Sequence, residues 1–573
     1  MDFQELRTVE NFRGIQRIEK IPGLEHRIDA HFEVFPRPEI LDPLIEQNDV
    51  IIVCGAVLGD EGKGKMVAAI ASDTRVTIVE RVNSGENAGH TAFDEFGREI
   101  IFHLAPSGML QRNKVNFIGP NCVMDPVSFM GSEIQKLIDL GIGYANLFVG
   151  NVSITTPYHK IIDSLGQANS STLKGISPVH ASKVRKMGPR LNDIFGAREH
   201  LAKVIQKDLQ TYFALVTHSG KSENEILSQL GVNAPKHIAD FLRAEDKIEF
   251  LIELYERTVA KNPNFPKRAD VTSMMCDALE RGEKVLLEGP QGYFLSNQVE
   301  THWGSSTSAD TTASGIAAAA GYNISRYRTL VINVAKTPSS RVGLGANPAG
   351  YVRQTFFSDR KINSLDQLAG TCDDFDSIQR KFFQAVQENG IIEPVMYEDA
   401  NGRYFIGEAM AIASSKFHRE KGATTGKPRI CGIFDCVLHH KVNQAQGPYL
   451  SISRVDGYDD YDKVGLVIAY VVFNPGSEQP IDSNGREYKN GDIIKAGDDV
   501  PCENVLKHCH PIVRVMDGWK DNPINYQKRV PDAQLPKQLQ NFLGAIRYYT
   551  GAEIISIGNG QKTDNLIYLR QVD

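Results

Sequence analysis

The chain has 573 residues, 41% of them hydrophobic and 23% charged, a composition that folds and that excludes a disordered protein. A net charge of −7 gives no overall attraction to a polyanion, so nucleic acid is not expected as a partner. The longest apolar run, at 464–474, falls well short of the ~20 residues that span a bilayer, so no membrane partner is expected either.

The first 48 residues are charged and broken by Pro22, Pro36, Pro38 and Pro43, and they read as an N-terminal extension without an apolar leader. The eight cysteines share no repeated spacing, which predicts a soluble cytoplasmic protein rather than a disulfide scaffold. From residue 49 the pattern changes. NDVIIVCGAV (48–57) is a β-branched run ending in a glycine-rich turn, and KMVAAIASD after it is a helix former. Further strand-like runs lie at 76–80, 116–119, 285–289, 329–335, 449–453, 465–473 and 553–557, with helical patterns such as 130–140 and 535–549 between them. Near-continuous apolar strands alternating with helices predict an α/β fold: one large domain, 49–573, around a mostly parallel, helix-covered central sheet. Two stretches read as insertions, a charged helical one at about 195–280 and one with little strand pattern at about 346–420.

The sharpest chemical signal is GDEGKGK, Gly59–Lys65. It has the phosphate-loop spacing at Gly59, Gly64 and Lys65, between a strand and a helix. Backbone N–H groups there can curl around phosphate oxygens at a helix N-terminus. Met66 stands where an ordinary phosphate loop carries the hydroxyl that ligates magnesium, so a metal would need another oxygen, and Asp60 is the obvious one. Carboxylates repel phosphate; Asp60 therefore reads as a metal ligand or base, although a structural turn is the competing reading. ENAGHT (86–91) places His90 in a polar loop after a strand, where α/β sheets bind ligands. SRVD (453–456) fits a guanine reader, with Arg454 stacking on the base and Asp456 accepting from its ring N–H and amine. A strand-end aspartate is also an ordinary turn cap.

With these motifs in place the sequence resembles the adenylosuccinate synthetase family. After GDEGKGK and NAGHT come FHLAPSG (102–108), STLKGISP (171–178), LLEGPQG (286–292), STSADTTASG (306–315), SSRVGLG (339–345), KGATTGKPR (421–429), SRVDGYD (453–459), MDGW (516–519) and SIG (556–558), all in the family's order. The resemblance covers about 49–570. It implies a homodimer whose partner reaches into each active site, and the GTP-dependent joining of IMP and L-aspartate to adenylosuccinate with Mg2+, the committing step from IMP to AMP. Asp60 and His90 would be catalytic with Lys63 and Gln291, and Asp60 and the Gly89 carbonyl would hold Mg2+. GTP would contact Gly59, Glu61, Gly62, Lys63, Gly64, Lys65, Gly89, His90, Thr91 and Arg429, with Arg454, Val455, Asp456, Ser556, Ile557 and Gly558 around the base. IMP and aspartate would meet Asp60, Asn87, Ala88, Thr172, Lys186, Gln291, Thr307, Ala423, Thr424, Thr425, Lys427 and Arg429.

Departures from the family pattern surround this set. Lys427 stands for an arginine, which removes a bidentate fork. Lys186 aligns with the arginine that reaches the neighbouring subunit's IMP phosphate, and Arg185 beside it could serve instead. Two alternatives stay open: the same chemistry on another purine nucleotide such as dGMP, or a nucleotide-binding regulatory homologue without turnover.

Overall fold

The apolar run at 50–55 becomes the centre of a twelve-stranded sheet. The computed structural model describes residues 27–35, 41–94, 96–111, 113–166, 172–230, 235–341, 343–389, 396–400, 402–422, 426–474, 476, 478–521, 523–524, 535–560 and 562–572. Eleven strands form its path: β1 (His31–Phe35), β2 (Val50–Gly55), β3 (Val76–Ser84), β4 (Val115–Met124), β5 (Leu147–Val149), β6 (Lys267–Arg268), β7 (Lys284–Glu288), β8 (Thr329–Lys336), β9 (Tyr449–Ser453), β10 (Glu553–Gly558) and β11 (Leu566–Val572). Their spatial order is β1-β11-β10-β9-β8-β2-β7-β3-β4-β5-β6, with Ser153–Ile154 beside β4. Every pair from β10 to β6 is parallel, while β11 and β1 close one edge antiparallel.

All six residues of β2 are buried, as a strand covered on both faces requires. Ile51 and Val53 point into a core shared with Met66, Val67 and Ile70 of α1 (Lys63–Ala71). Val50, Ile52 and Cys54 point the other way, onto Met275 of α2 (Val271–Glu280) and Ile316 of α3 (Ala313–Ala320). The period of two thus assigns one face to each helical layer. After β7 on one side of β2 the chain crosses to β8 on the other, so the strand order reverses at β2. Ligands bind beyond the carboxyl ends of strands at such a point.

Two expectations change. His31–Phe35 pairs with β11 from Val572 to Tyr568, so the extension joins the sheet from residue 31 onward. Its most buried apolar residue is Phe32, whose backbone N–H donates to Gln540 Oε1 at 3.1 Å, while Val34 and Phe35 pack partly buried against the core. The run at 465–473 is not a strand of the central sheet. Lys463–Val472 pairs antiparallel with Cys509–Asp517 in a separate four-stranded sheet, against helix α4 (Phe375–Asn389). The stretch at 195–280 is helical over Arg198–Ser219, Glu223–Leu230, Lys236–Arg243 and Lys247–Tyr255, then returns to the sheet as β6 and α2. The stretch at 346–420 holds α4, a hairpin at 396–405 and α5 (Ile406–Phe417). Among the described residues no helix is long and apolar enough to cross a membrane.

If β1 is part of the core, Phe32→Ala costs about 3 kcal/mol, the usual loss for a truncated buried phenylalanine. Urea unfolding measures it, and an unchanged midpoint would show that the strand is only an adornment.

Candidate active site

The turn after β2 is built backbone against backbone. A Cβ on Gly55 would lie 2.0 Å from the Gln291 carbonyl oxygen, and one on Gly292 would lie 2.7 Å from Gly59 N. Only glycine permits this approach, which packs the 56–62 loop onto the 289–292 loop. Glu61 organises the loop from inside. Its buried carboxylate accepts from Val57 N at 3.2 Å and Gly59 N at 2.7 Å, and pairs with Lys63 Nζ at 3.1 Å. Its side chain therefore holds the loop and does not line the cleft, so the sequence-level expectation of a direct nucleotide contact does not extend to this carboxylate. Asp60, beside it, takes a left-handed conformation at φ 59°, which turns its side chain outward.

Asp60 opens onto a cleft of about 550 Å³ at the carboxyl ends of the central strands. Gly62, Lys63, Gly64 and Lys65 line it from the loop and helix, Asn87–Thr91 from the loop after β3, and Gln291, Arg429, Arg454 and Asp456 from later segments. The structure thus gathers into one hollow residues spread over nearly 400 positions. Two polar groups wait there. Neither amide atom of the buried Gln291 has a hydrogen-bond partner, and Asp456 Oδ1 is likewise buried and unpartnered. Orphaned buried polar atoms facing a cleft are suited to a polar ligand.

Between these groups runs an alternating chain of charges. Arg429 pairs with Asp60, Asp60 with Lys336 at 3.2 Å, Lys336 with Glu420 at 2.6 Å, and Glu420 with Arg454. Burial opposes the charge on Asp60, yet the Lys336 ammonium and the Arg429 guanidinium hold its carboxyl well below the ordinary range. Burial likewise opposes charge on Lys336, and Asp60 and Glu420 together raise it. The hairpin that carries both Glu420 and Arg429 is fixed by Arg429 N donating to the Glu420 carbonyl at 3.0 Å and Gly422 N to Lys427 O at 2.9 Å. Arg454 is engaged with Glu420 and the His418 carbonyl, so its guanidinium is held at the wall of the cleft rather than laid over a base.

His90 is buried and leans on Glu288, the last residue of β7. Burial pulls its pKa down to about 4, so the ring is neutral above that pH. Glu288 also accepts from Ser107 N and Oγ, each at 2.7 Å. Arg81 Nη1 lies against the ring, 3.4 and 3.3 Å from its two nitrogens.

Asn87 and Thr307 meet, Nδ2 to Oγ1 at 3.4 Å, with Ser84 Oγ donating to Asn87 Oδ1. Thr172, Lys427 and Thr307 are not among the residues lining the cleft. Ser556 spends its hydroxyl on Ser451 Oγ at 2.8 Å, while Val455 and Ile557 point into the core, so these three side chains do not face a base. Gly560 does border that end of the cleft, and Gly558 packs against Lys65, Ser453 and Arg454, which line it. Arg185 and Lys186 lie exposed after helix Ile176–Val184, away from this cleft. Ala423, Thr424 and Thr425 fall outside the described residues.

Lys336, Glu420, Glu288, Arg81 and His418 were not singled out from sequence. Lys336 and Glu288 share a legible signal: each is the charged residue that ends an apolar strand, TLVINVAK and KVLLE.

Comparison with known proteins identifies the family. A family profile described as adenylosuccinate synthetase matches residues 52–567. Adenylosuccinate synthetase 2 of Trypanosoma cruzi is 50% identical over 575 residues, 97% of this chain and 93% of the relative. The chain belongs to the adenylosuccinate synthetase family. It is therefore a ligase by family. The adenylosuccinate synthetase of Trypanosoma brucei brucei is 50% identical over 581 residues, with 98% and 96% of the two chains covered. That of Leishmania infantum is 53% identical over 547 residues, with 92% and 77% covered. The structure of a fully ligated adenylosuccinate synthetase from Plasmodium falciparum superposes with a TM-score of 0.63 at 22% identity, over 90% of this chain and 99% of that one. That likeness concerns the fold, which is the same large α/β unit.

Lys336→Met leaves Asp60 and Glu420 short of their shared cation, and is expected to cost about 3 kcal/mol at neutral pH. Both carboxyls are depressed in the folded state. Their contribution is full above the unfolded carboxyl values of about 4 and fades as pH falls below them. Urea titrations at several pH values should therefore show the wild-type advantage shrinking in acid; a pH-independent difference would mean that Lys336 acts only by packing.

Proposed function

We propose that this chain joins IMP and L-aspartate to adenylosuccinate with the hydrolysis of GTP, through a 6-phosphoryl intermediate. The observation that carries this reading is the cleft itself: an ionised Asp60, an unpartnered Gln291 amide and an Asp456 carboxylate with an unpartnered Oδ1 share one hollow beside a phosphate loop.

The 6-oxo group of a purine is a poor leaving group and must be phosphorylated first. Asp60 would take the N1 proton, which concentrates negative charge on O6 for attack on the γ-phosphorus. A carboxylate tied to Arg429 and Lys336 is a weak base. Ligand phosphates or the aspartate carboxylate would compete for Arg429, and each step of that competition raises the Asp60 carboxyl toward a useful basicity. Lys63 and the loop N–H groups would bind phosphate, with Lys63 changing partner from Glu61. Neutral His90, oriented by Glu288, would hydrogen-bond the phosphoryl oxygens as their charge grows. Gln291 would hold the activated base, and the amine of aspartate would then displace phosphate from C6.

The donor set also suits Mg2+. Both ion pairs of Asp60 fall on Oδ2, leaving Oδ1, and Gly89 borders the same cleft; one carboxylate and a carbonyl, completed by phosphate and water, are the hard oxygens this ion prefers. When bound it would neutralise phosphate charge. A homodimer and a cytoplasmic location belong to the same proposal. The exposed C-terminal end of helix Ile176–Val184, where Val184 is 81% exposed and Arg185 and Lys186 follow, supports a role outside the chain's own cleft.

Purified protein with aspartate, Mg2+, IMP or dGMP, and GTP or ATP should release phosphate and form adenylosuccinate absorbance with IMP and GTP. Turnover with dGMP alone, or none with any pair, would overturn the reading. Asp60→Asn should lower kcat by roughly 10²–10⁴-fold, the usual weight of a general base, with GTP affinity held within a few fold. A variant that still turned over normally would remove Asp60 as the base.

A further inference from the structure

Lys65 ends in the wrong place for a phosphate-binding lysine. Its Nζ donates to the Gly560 carbonyl at 2.8 Å, and a Cβ on Gly558 would lie only 2.5 Å from it. The same position on Gly558 is 3.2 Å from Ser453 Cα and 3.3 Å from Arg454 N, so the ammonium sits in the notch between the carboxyl ends of β9 and β10. Asp456 lines the same cleft, and its charge pulls on the ammonium, yet no ion pair joins the two among the described residues.

Both groups have hydrogen-bonding capacity to spare. Lys65 is 9% exposed and has three N–H donors, of which one finds a hydrogen-bond partner among the described residues. Burial lowers the ammonium to about 8 despite the pull of Asp456. Asp456 Oδ1 is buried without a partner. A buried cation with N–H donors to spare and a carboxylate with one buried, unpartnered oxygen, lining the same cleft, match an edge that presents an acceptor next to donors.

We propose that Lys65 reads the 6-keto oxygen of the nucleotide base, donating from Nζ to O6 while Asp456 accepts from N1–H and the 2-amino group. This rests on the GTP reading above and deepens it. The pair is selective from both sides. Adenine would set its 6-amino donor against the ammonium and its N1 lone pair against the carboxylate, so that neither charge gains a partner from the base. Gly558 is then required because any side chain there would displace the ammonium from the base.

Nucleotide binding to the full chain, measured by calorimetry without IMP or aspartate, tests this with GTP, 6-thio-GTP, ITP and ATP. Sulfur at position 6 is a poor acceptor, whereas ITP keeps O6 and lacks only the 2-amino group. The wild type should favour GTP over 6-thio-GTP by about tenfold, the size of one charged hydrogen bond, and Lys65→Met should bring that ratio near one. The GTP-to-ITP ratio, set by Asp456, should stay within about twofold in the same variant. Lys65→Gln, which keeps a donor, should recover part of the thio contrast, and it serves alone if the methionine variant does not fold. A Lys65 variant that keeps the full thio contrast, or loses the ITP contrast in equal measure, overturns the assignment. A wild type that binds ATP as tightly as GTP overturns the GTP reading itself, independently of Lys65.

Discussion

Asp60 is held between two cations, and most of the site follows from that fact. Lys336 and Arg429 keep its carboxyl ionised where burial alone would neutralise it, and Glu420 and Arg454 continue the alternation. Three cations and two carboxylates leave one positive charge in excess, facing a cleft suited to phosphates. Charges at such depth cannot be removed singly without stranding a neighbour. The chain of ion pairs therefore fixes the relative positions of the phosphate loop, the end of β8, the 420–429 hairpin and the end of β9.

On the function proposed above, the same arrangement would store a base safely. Lys336 and Arg429 together keep Asp60 too acidic to take a proton from a purine, and an anion that drew Arg429 away would raise it. Substrate binding and base activation would then be one event. His90 is prepared in the same way: its partner Glu288 is fixed by Ser107, so the protein alone sets the orientation of the ring.

The phosphate loop, its strand and its helix were legible because they depend on local pattern: a β-branched run, glycines, then helix formers. The motif-bearing residues that came together in the cleft, Asp60, Asn87, His90, Gln291, Arg429 and Asp456, were legible through the family's motif order. Lys336 and Glu420 were not, since a lone lysine at a strand end and a glutamate in a loop mean nothing until the strand order brings them within 2.6 Å. Glu61 misled because a carboxylate in a phosphate loop can turn inward, which no spacing reveals. Ser556 and Ile557 carry the family signature, but strand alternation buries their side chains in sheet and core. The edge strand β1 hid behind prolines, and Lys463–Val472 joined another sheet because its antiparallel partner lies some forty residues on.

The pairing of β1 with β11 has a consequence for how the molecule folds. These two strands, far apart in sequence, meet at one edge of the sheet, next to β10 and the notch that holds Lys65. Lys65 itself meets a carbonyl 495 residues away. Both contacts close loops that take in most of the described chain, so they form only once the intervening strands have come together. The sheet edge and the Lys65 notch are thus sealed by the same late step of folding, and loss of the strand at 566–572 would loosen both together.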